Sequence, residues 1–160
     1  MKHLTWVLIS TCLLLSCKED TPSDDDDGGT DTEAAIQLGL LTGKTWVPGT
    51  ITKDDVALAE EYPYFADFTL TFSGSLNADE TNVTNGTYTT SDPGEVLPSG
   101  SWEFSSDVET QLELNDPANG PTPVTYSVTE NNLRLTFTRG NPGGRTEGIT
   151  GNYVFDLVPQ

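Results

Sequence analysis

Val124-Thr125-Tyr126-Ser127-Val128-Thr129-Glu130-Asn131-Asn132-Leu133-Arg134-Leu135-Thr136-Phe137 reads as one β-hairpin. Val124, Tyr126 and Val128 alternate with Thr125 and Ser127, and Leu133, Leu135 and Phe137 alternate with Arg134 and Thr136, so each half carries its apolar side chains on one face. If Asn131-Asn132 form a two-residue turn, whose sites need the positive φ that Asn tolerates, Glu130 faces Leu133, Val128 faces Leu135 and Tyr126 faces Phe137. The outward pairs are then Thr129 with Arg134 and Ser127 with Thr136. A slip by one residue would bury the wrong face of one strand.

The same period of two recurs on both sides of this hairpin. Phe68, Leu70 and Phe72 alternate with Thr69, Thr71 and Ser73, and Trp102 and Phe104 with Ser101, Glu103 and Ser105. Leu112 and Leu114 follow, and Tyr153, Phe155 and Leu157 close the series. With Thr45–Ile51 and Gly86–Thr90 the expectation is an all-β domain of about eight antiparallel strands, each with one apolar and one wet face. Sequential hairpins favour an up-and-down barrel. An immunoglobulin-like β-sandwich is the alternative and needs Greek-key crossings.

Ahead of the strands the period is helical. Thr32 to Thr42 is expected to form a short helix with Thr32 as N-cap, Ile36 with Leu40 and Leu38 with Leu41 at helical spacing, and Gly43 ending it. The stretches Lys53–Ala66, Ser73–Asn85, Ser91–Gly100, Asn115–Pro123 and Arg139–Gly151 read as loops. The first is a candidate lid with a short helix from Asp55 to Glu61.

Short helix, Gly43-Lys44-Thr45-Trp46 at the first strand, and about eight strands in series resemble the lipocalin-like, or calycin, barrels over roughly Ile36 to Pro159. The resemblance implies that Trp46 packs across the barrel floor beneath the helix. Lipocalins also carry an Arg near the last strand that stacks on this Trp. Asn152 to Gln160 has none, and Arg139 or Arg145 would have to stand in.

The chain holds 25 acidic against 7 basic residues, a formal net charge of −18. Nucleic acid is therefore a poor partner, since binding it takes a basic patch. The outward Thr, Ser, Glu and Arg of the strands also differ from the apolar belt of a barrel that faces lipid. The lone His is His3, and the two Cys are Cys12 and Cys17. Beyond the first turns of the chain there is no imidazole or thiol, so His-assisted nucleophiles and zinc sites are excluded there. Asp54 with Asp55 and Glu60 with Glu61 are the remaining candidates for two-carboxylate chemistry, and their natural reading is solvated loop acids. Glu103 and Glu113 read as outward strand residues. No catalytic residue, metal or cofactor is expected.

The start of the chain has its own pattern. Lys2 and His3 precede the apolar run Leu4 to Leu15, followed by Ser16-Cys17. The run is shorter than the roughly 20 residues of a membrane span. Leu14-Leu15-Ser16-Cys17 resembles a bacterial lipobox, which implies cleavage before Cys17 and acylation of Cys17. Lys18-Glu19-Asp20 resembles the surface-export signal of Bacteroidota lipoproteins, which implies an outer-membrane protein facing outward. The expected organisation is a signal peptide over 1–16, a lipidated Cys17 with an acidic tether over 17–33, and the barrel domain over 34–160. Asp24-Asp25-Asp26-Asp27-Gly28-Gly29 in the tether lacks the spacing of a calcium loop.

Aromatic residues dominate the inward positions. They either plug the interior or wall a cavity for a small hydrophobic or ring-shaped ligand, or for a glycan. Trp46, Tyr88, Trp102, Phe104 and Tyr126 are the candidate ligand-binding residues. The alternative function is an interaction lipoprotein with a filled core, meeting a protein partner through its loops.

Overall fold

The computed structural model of the protein describes residues 31–58, 63–91, 96–140 and 150–160. Helix α1 spans Glu33–Leu41. It starts where Thr32 Oγ1 accepts the Ala35 N–H at 3.2 Å, and it ends at Thr42, whose N–H donates to Leu38 O, before Gly43 at φ +76°. Capping of this kind satisfies end groups that have no partner inside the helix. Gly supplies the left-handed residue that turns the chain into the first strand.

Nine strands follow: β1 Thr45–Lys53, β2 Val56–Ala57, β3 Leu70–Leu76, β4 Val83–Thr90, β5 Gly100–Phe104, β6 Gln111–Asp116, β7 Gly120–Val128, β8 Leu133–Arg139 and β9 Gly151–Pro159. A 3₁₀ helix, Pro63–Asp67, lies before β3. Successive strands from β3 to β9 pair antiparallel, and β1 pairs with both β3 (Trp46 with Leu70) and β9 (Trp46 with Pro159). The sheet thereby closes into an eight-stranded antiparallel barrel of β1 and β3 to β9, with β2 a short arm hairpinned onto β1. Closure replaces the sandwich alternative, and a barrel with one short helix is compatible with a lipocalin-like fold.

The central hairpin has the expected faces and a different register. Val128 pairs with Leu133, Tyr126 with Leu135, Ser127 with Arg134 and Thr125 with Thr136. Tyr126 is therefore opposite Leu135 and not Phe137, a slip of two residues, which leaves every side chain on its predicted face. The cause is Thr129, whose Oγ1 accepts the N–H groups of Asn131 (3.3 Å) and Asn132 (3.1 Å) and folds a four-residue turn. Asn131 and Asn132 do not take positive φ. The two-residue turn with both φ positive lies at Asp54 (50°) and Asp55 (66°), between Lys53 and Val56, which are paired.

That hairpin also corrects the lid reading of Lys53–Ala66: Asp55 is a turn residue and Val56–Ala57 a strand, so no helix starts at Asp55. Residues 59–62, with Glu60 and Glu61, lie outside the described residues. Ser73–Asn85 and Asn115–Pro123 are likewise shorter as loops than expected. β3 runs on to Leu76 through a bulge at Gly74, and β4 starts at Val83 with Asn85 at φ +52°. At the β6–β7 turn, Asp116 Oδ1 accepts the N–H groups of Ala118 (2.9 Å) and Asn119 (2.7 Å) and reverses the chain in three residues.

The inward rows fill the barrel. Tyr153, Phe155 and Leu157 of β9 meet Leu133, Leu135 and Phe137 of β8, and Phe137 stacks on Tyr153 with centroids 5.5 Å apart. Across the barrel Phe72, Trp102 and Phe104 meet edge to face, each pair at 5.2 Å. α1 covers one end, where Leu41 is buried against Trp46. Phe65 and Phe68 pack on Phe155 at the other, together with buried Val96 and Leu97. Among the described residues no helix is long and apolar enough to cross a membrane.

Candidate functional site

Cys17, Lys18, Glu19 and Asp20 lie outside the described residues. The five candidate aromatics are inside the barrel wall, each at most 3 % exposed. They do not form one site. Trp46 Nε1 donates to Leu41 O at 3.0 Å, and Tyr126 donates its hydroxyl to Val108 O and to Gln37 Oε1, so both are fixed at the α1 end. Tyr88, Trp102 and Phe104 form a separate run of rings linked through Phe72. Trp102 Nε1 reaches Ser73 O at 3.0 Å.

The cation over Trp46 comes from the motif itself. Lys44 Nζ stands 5.1 Å from the ring centroid and donates to Glu130 O at 3.3 Å. Arg139 does not stand in for the missing Arg; it sits over Phe137 at 5.4 Å, and Arg145 is outside the described residues.

Arg139 instead organises a buried polar cluster. Its Nε donates to Val96 O at 2.7 Å, its NH1 to Thr122 Oγ1 at 2.6 Å, and its NH2 lies 3.1 Å from Asp116 Oδ2. The last contact is an ion pair without hydrogen-bond alignment, so NH2 has no hydrogen-bond acceptor. Arg139, Asp116 and Thr122 are all buried. Each continues the inward alternation of its strand: Leu133, Leu135, Phe137, Arg139; Leu112, Leu114, Asp116; and Val124, Thr122. That continued period was the signal available in the sequence, and assigning polar residues to loops concealed it. Tyr88 lies within reach of both charges. Burial pushes its phenol well above the usual tyrosine range, Asp116 adds to the shift and Arg139 opposes it, and its hydroxyl has no hydrogen-bond partner.

Clefts open on the outside of the wall. A cavity of about 280 Å³ lies where β4 and β5 part, lined by Asn85, Gly86, Trp102, Glu103 and Glu113 among others. Glu103 and Glu113 are directly paired across β5 and β6, which fits their reading as outward residues. Two more clefts, of about 380 Å³ and 230 Å³, lie along β7 and β8 and share Pro123 and Thr138. Asp54 and Asp55 are exposed turn residues, and Asp54 Oδ1 accepts the Asn152 N–H at 2.9 Å. Among the described residues no three His, Cys, Asp or Glu side chains converge as metal ligands. No known protein family matches the sequence, and no curated protein matches it either.

Proposed function

We propose that the protein is a surface lipoprotein of the outer membrane, anchored through acylated Cys17 and exported through Lys18-Glu19-Asp20. It works as a non-catalytic binding module of the kind found among lipocalin-like lipoproteins of Bacteroidota. Its ligand is polar and meets the outer wall. The observation that carries this reading is the placement of Trp46, Tyr88, Trp102, Phe104 and Tyr126: all are buried and packed against neighbouring rings or hydrogen-bonded to the backbone, while the described clefts open outward and are lined by Thr, Ser, Asn, Glu and Pro. Rings held in this way cannot line a hydrophobic pocket without repacking the core.

A loop-mediated protein partner is the second reading, favoured by the same filled core. It has less support, since the exposed large apolar residues Ile36, Val56 and Val158 sit singly on α1, β2 and β9 and form no common patch.

The test uses the processed, lipidated chain, whose Trp residues are Trp46 and Trp102. Fatty acids, quinones and porphyrins should leave Trp emission unchanged, while retention on immobilised polysaccharides exceeds that of an unrelated lipoprotein. Saturable quenching by a hydrophobic ligand would return the binding site to the interior. In intact cells, Cys17→Ala should release the protein from membranes, and alanine at 18, 19 and 20 should abolish its accessibility to added protease.

A further inference from the structure

The barrel wall is open between the upper halves of β7 and β8, for a reason written in the sequence. β6 pairs with β7 as far as Asp116 with Gly120, and β8 pairs with β9 as far as Arg139 with Gly151, but β7 and β8 pair only between Thr125–Thr136 and Val128–Leu133. Tyr126 N donates to Thr110 O on the β6 side at 2.8 Å. Alternation then turns the N–H positions of residues 125, 123 and 121 toward β8. Two of those three are prolines, Pro123 and Pro121, which have no N–H to give. The seam opens where the donors are missing, and the 230 Å³ cleft lies in it, with Arg139 and Thr122 in its lining and Asn119, Thr138 and the two prolines around them.

From this geometry we propose that the seam binds a neutral polyhydroxylated ligand, a sugar or short glycan, one of whose oxygens accepts from Arg139 NH2. Three observations fix the class. Arg139 NH2 is a buried donor with no hydrogen-bond acceptor, in a residue 3 % exposed that lines the cleft. Asp116 already balances the charge at 3.1 Å, so an anion would leave excess negative charge in the wall, while a hydroxyl or ring oxygen would not. The surrounding polar groups are set to receive hydroxyls. Asn119 Nδ2 is held by Asp116 at 3.0 and 3.3 Å, which leaves its Oδ1 as an acceptor, and Thr138 Oγ1 donates to Asn152 Oδ1 at 2.7 Å, which leaves its lone pairs. Pro121 and Pro123 add apolar ring surface for the C–H face of a pyranose. The cleft suits a ligand smaller than a drug-sized one, and the adjoining 380 Å³ cleft, which shares Pro123 and Thr138, extends the path to a second unit.

The inference rests on the reading of the protein as a non-covalent binding module, and the experiment separates the two. The full chain, in a detergent without sugar groups, is titrated with glucose, galactose, mannose, N-acetylglucosamine and their trisaccharides while backbone amides are followed by NMR. At least one should shift the amides of Asn119, Thr122 and Thr138 saturably. Asn119→Ala and Thr138→Val change the rim without touching the ion pair, and each should weaken that binding about tenfold, the loss of one hydrogen bond of about 1.4 kcal/mol, with an unchanged melting temperature. Saturable shifts that map to another face would sink the seam and leave the module standing. Absence of any saturable shift, or affinity unchanged in both rim variants, also overturns the seam, as does a crystal grown with the sugars that shows only water on Arg139 NH2.

Discussion

The carboxamide of Asn82 pairs with the backbone of Phe104 in both directions: Nδ2 donates to Phe104 O at 3.1 Å, and Oδ1 accepts the Phe104 N–H at 2.9 Å. Ladder pairing between β4 and β5 is limited to Thr87–Ser101 and Tyr88–Gly100, so one side chain replaces the missing rungs. Asn82→Ala should destabilise the barrel by about 2–4 kcal/mol, because two backbone groups lose their partner together. Urea melts give the value. A change under about 0.5 kcal/mol would mean that water substitutes freely for the amide.

Asp55 has φ 66° and Asn132 does not have positive φ, which gives two glycine substitutions of opposite sign. Asp55→Gly should stabilise by several tenths of a kcal/mol to about 1, since glycine adopts that conformation without a Cβ penalty. Asn132→Gly should destabilise, through added freedom of the unfolded chain and loss of the Asn132 Nδ2 bond to Leu157 O. Thermal melts of the two variants decide whether the tight turn lies at residues 54–55 or 131–132.

Two ion pairs of the wall should behave differently. Arg139 and Asp116 are buried, whereas Arg134 and Asp156, 3.4 Å apart, are open to solvent. Arg139→Met leaves Asp116 uncompensated and should cost about 3–5 kcal/mol. Arg134→Ala should cost less than about 1 and respond to salt. Parallel urea melts at low and high ionic strength would expose an error if the ranking reversed.

Tyr88 and Tyr126 link stability to alkaline pH. Burial raises both phenols above the ordinary value of 10.0, and near Tyr126 the acids Glu33, Asp107 and Glu109 add to the effect. The unfolded chain loses these protons first, so their contribution is fully present below about pH 10 and falls as pH rises beyond it. Tyr88→Phe removes a hydroxyl that has no partner and should leave stability equal or slightly higher, with a flatter alkaline decline. Tyr126→Phe should lose about 1 kcal/mol with its bond to Val108 O. Stability curves from pH 8 to 11 test both signs.

The strands were legible because burial on one face writes a period of two into the sequence, and the helix because Thr32 and Gly43 mark its ends. The register of β7 on β8 was not, since a slip of two keeps Tyr126 and Leu135 inward, and only the Thr129 hydroxyl distinguishes the two turns. The strand ends were hidden where the next inward residue is polar: Arg139 after Phe137, Asp116 after Leu114, Thr122 before Val124. Alternation identifies such positions only if polarity is allowed inside, and that requires the partners, which lie on other strands. Of the candidate site, the aromatic identities were visible and their separation was not, because ring proximity depends on barrel closure.

Closure also sets the order of assembly. β3 to β9 can zip as neighbouring hairpins, each joining segments close in the chain, but Trp46 meets Pro159 only when both ends of the domain come together. The entropy of that long loop must be lost before its rungs form, so the β1–β9 rungs are the non-local contacts on which a slow final folding phase depends. Until then β1 and β9 each present an unpaired edge, and the open sheet is the species most prone to join with another copy of itself.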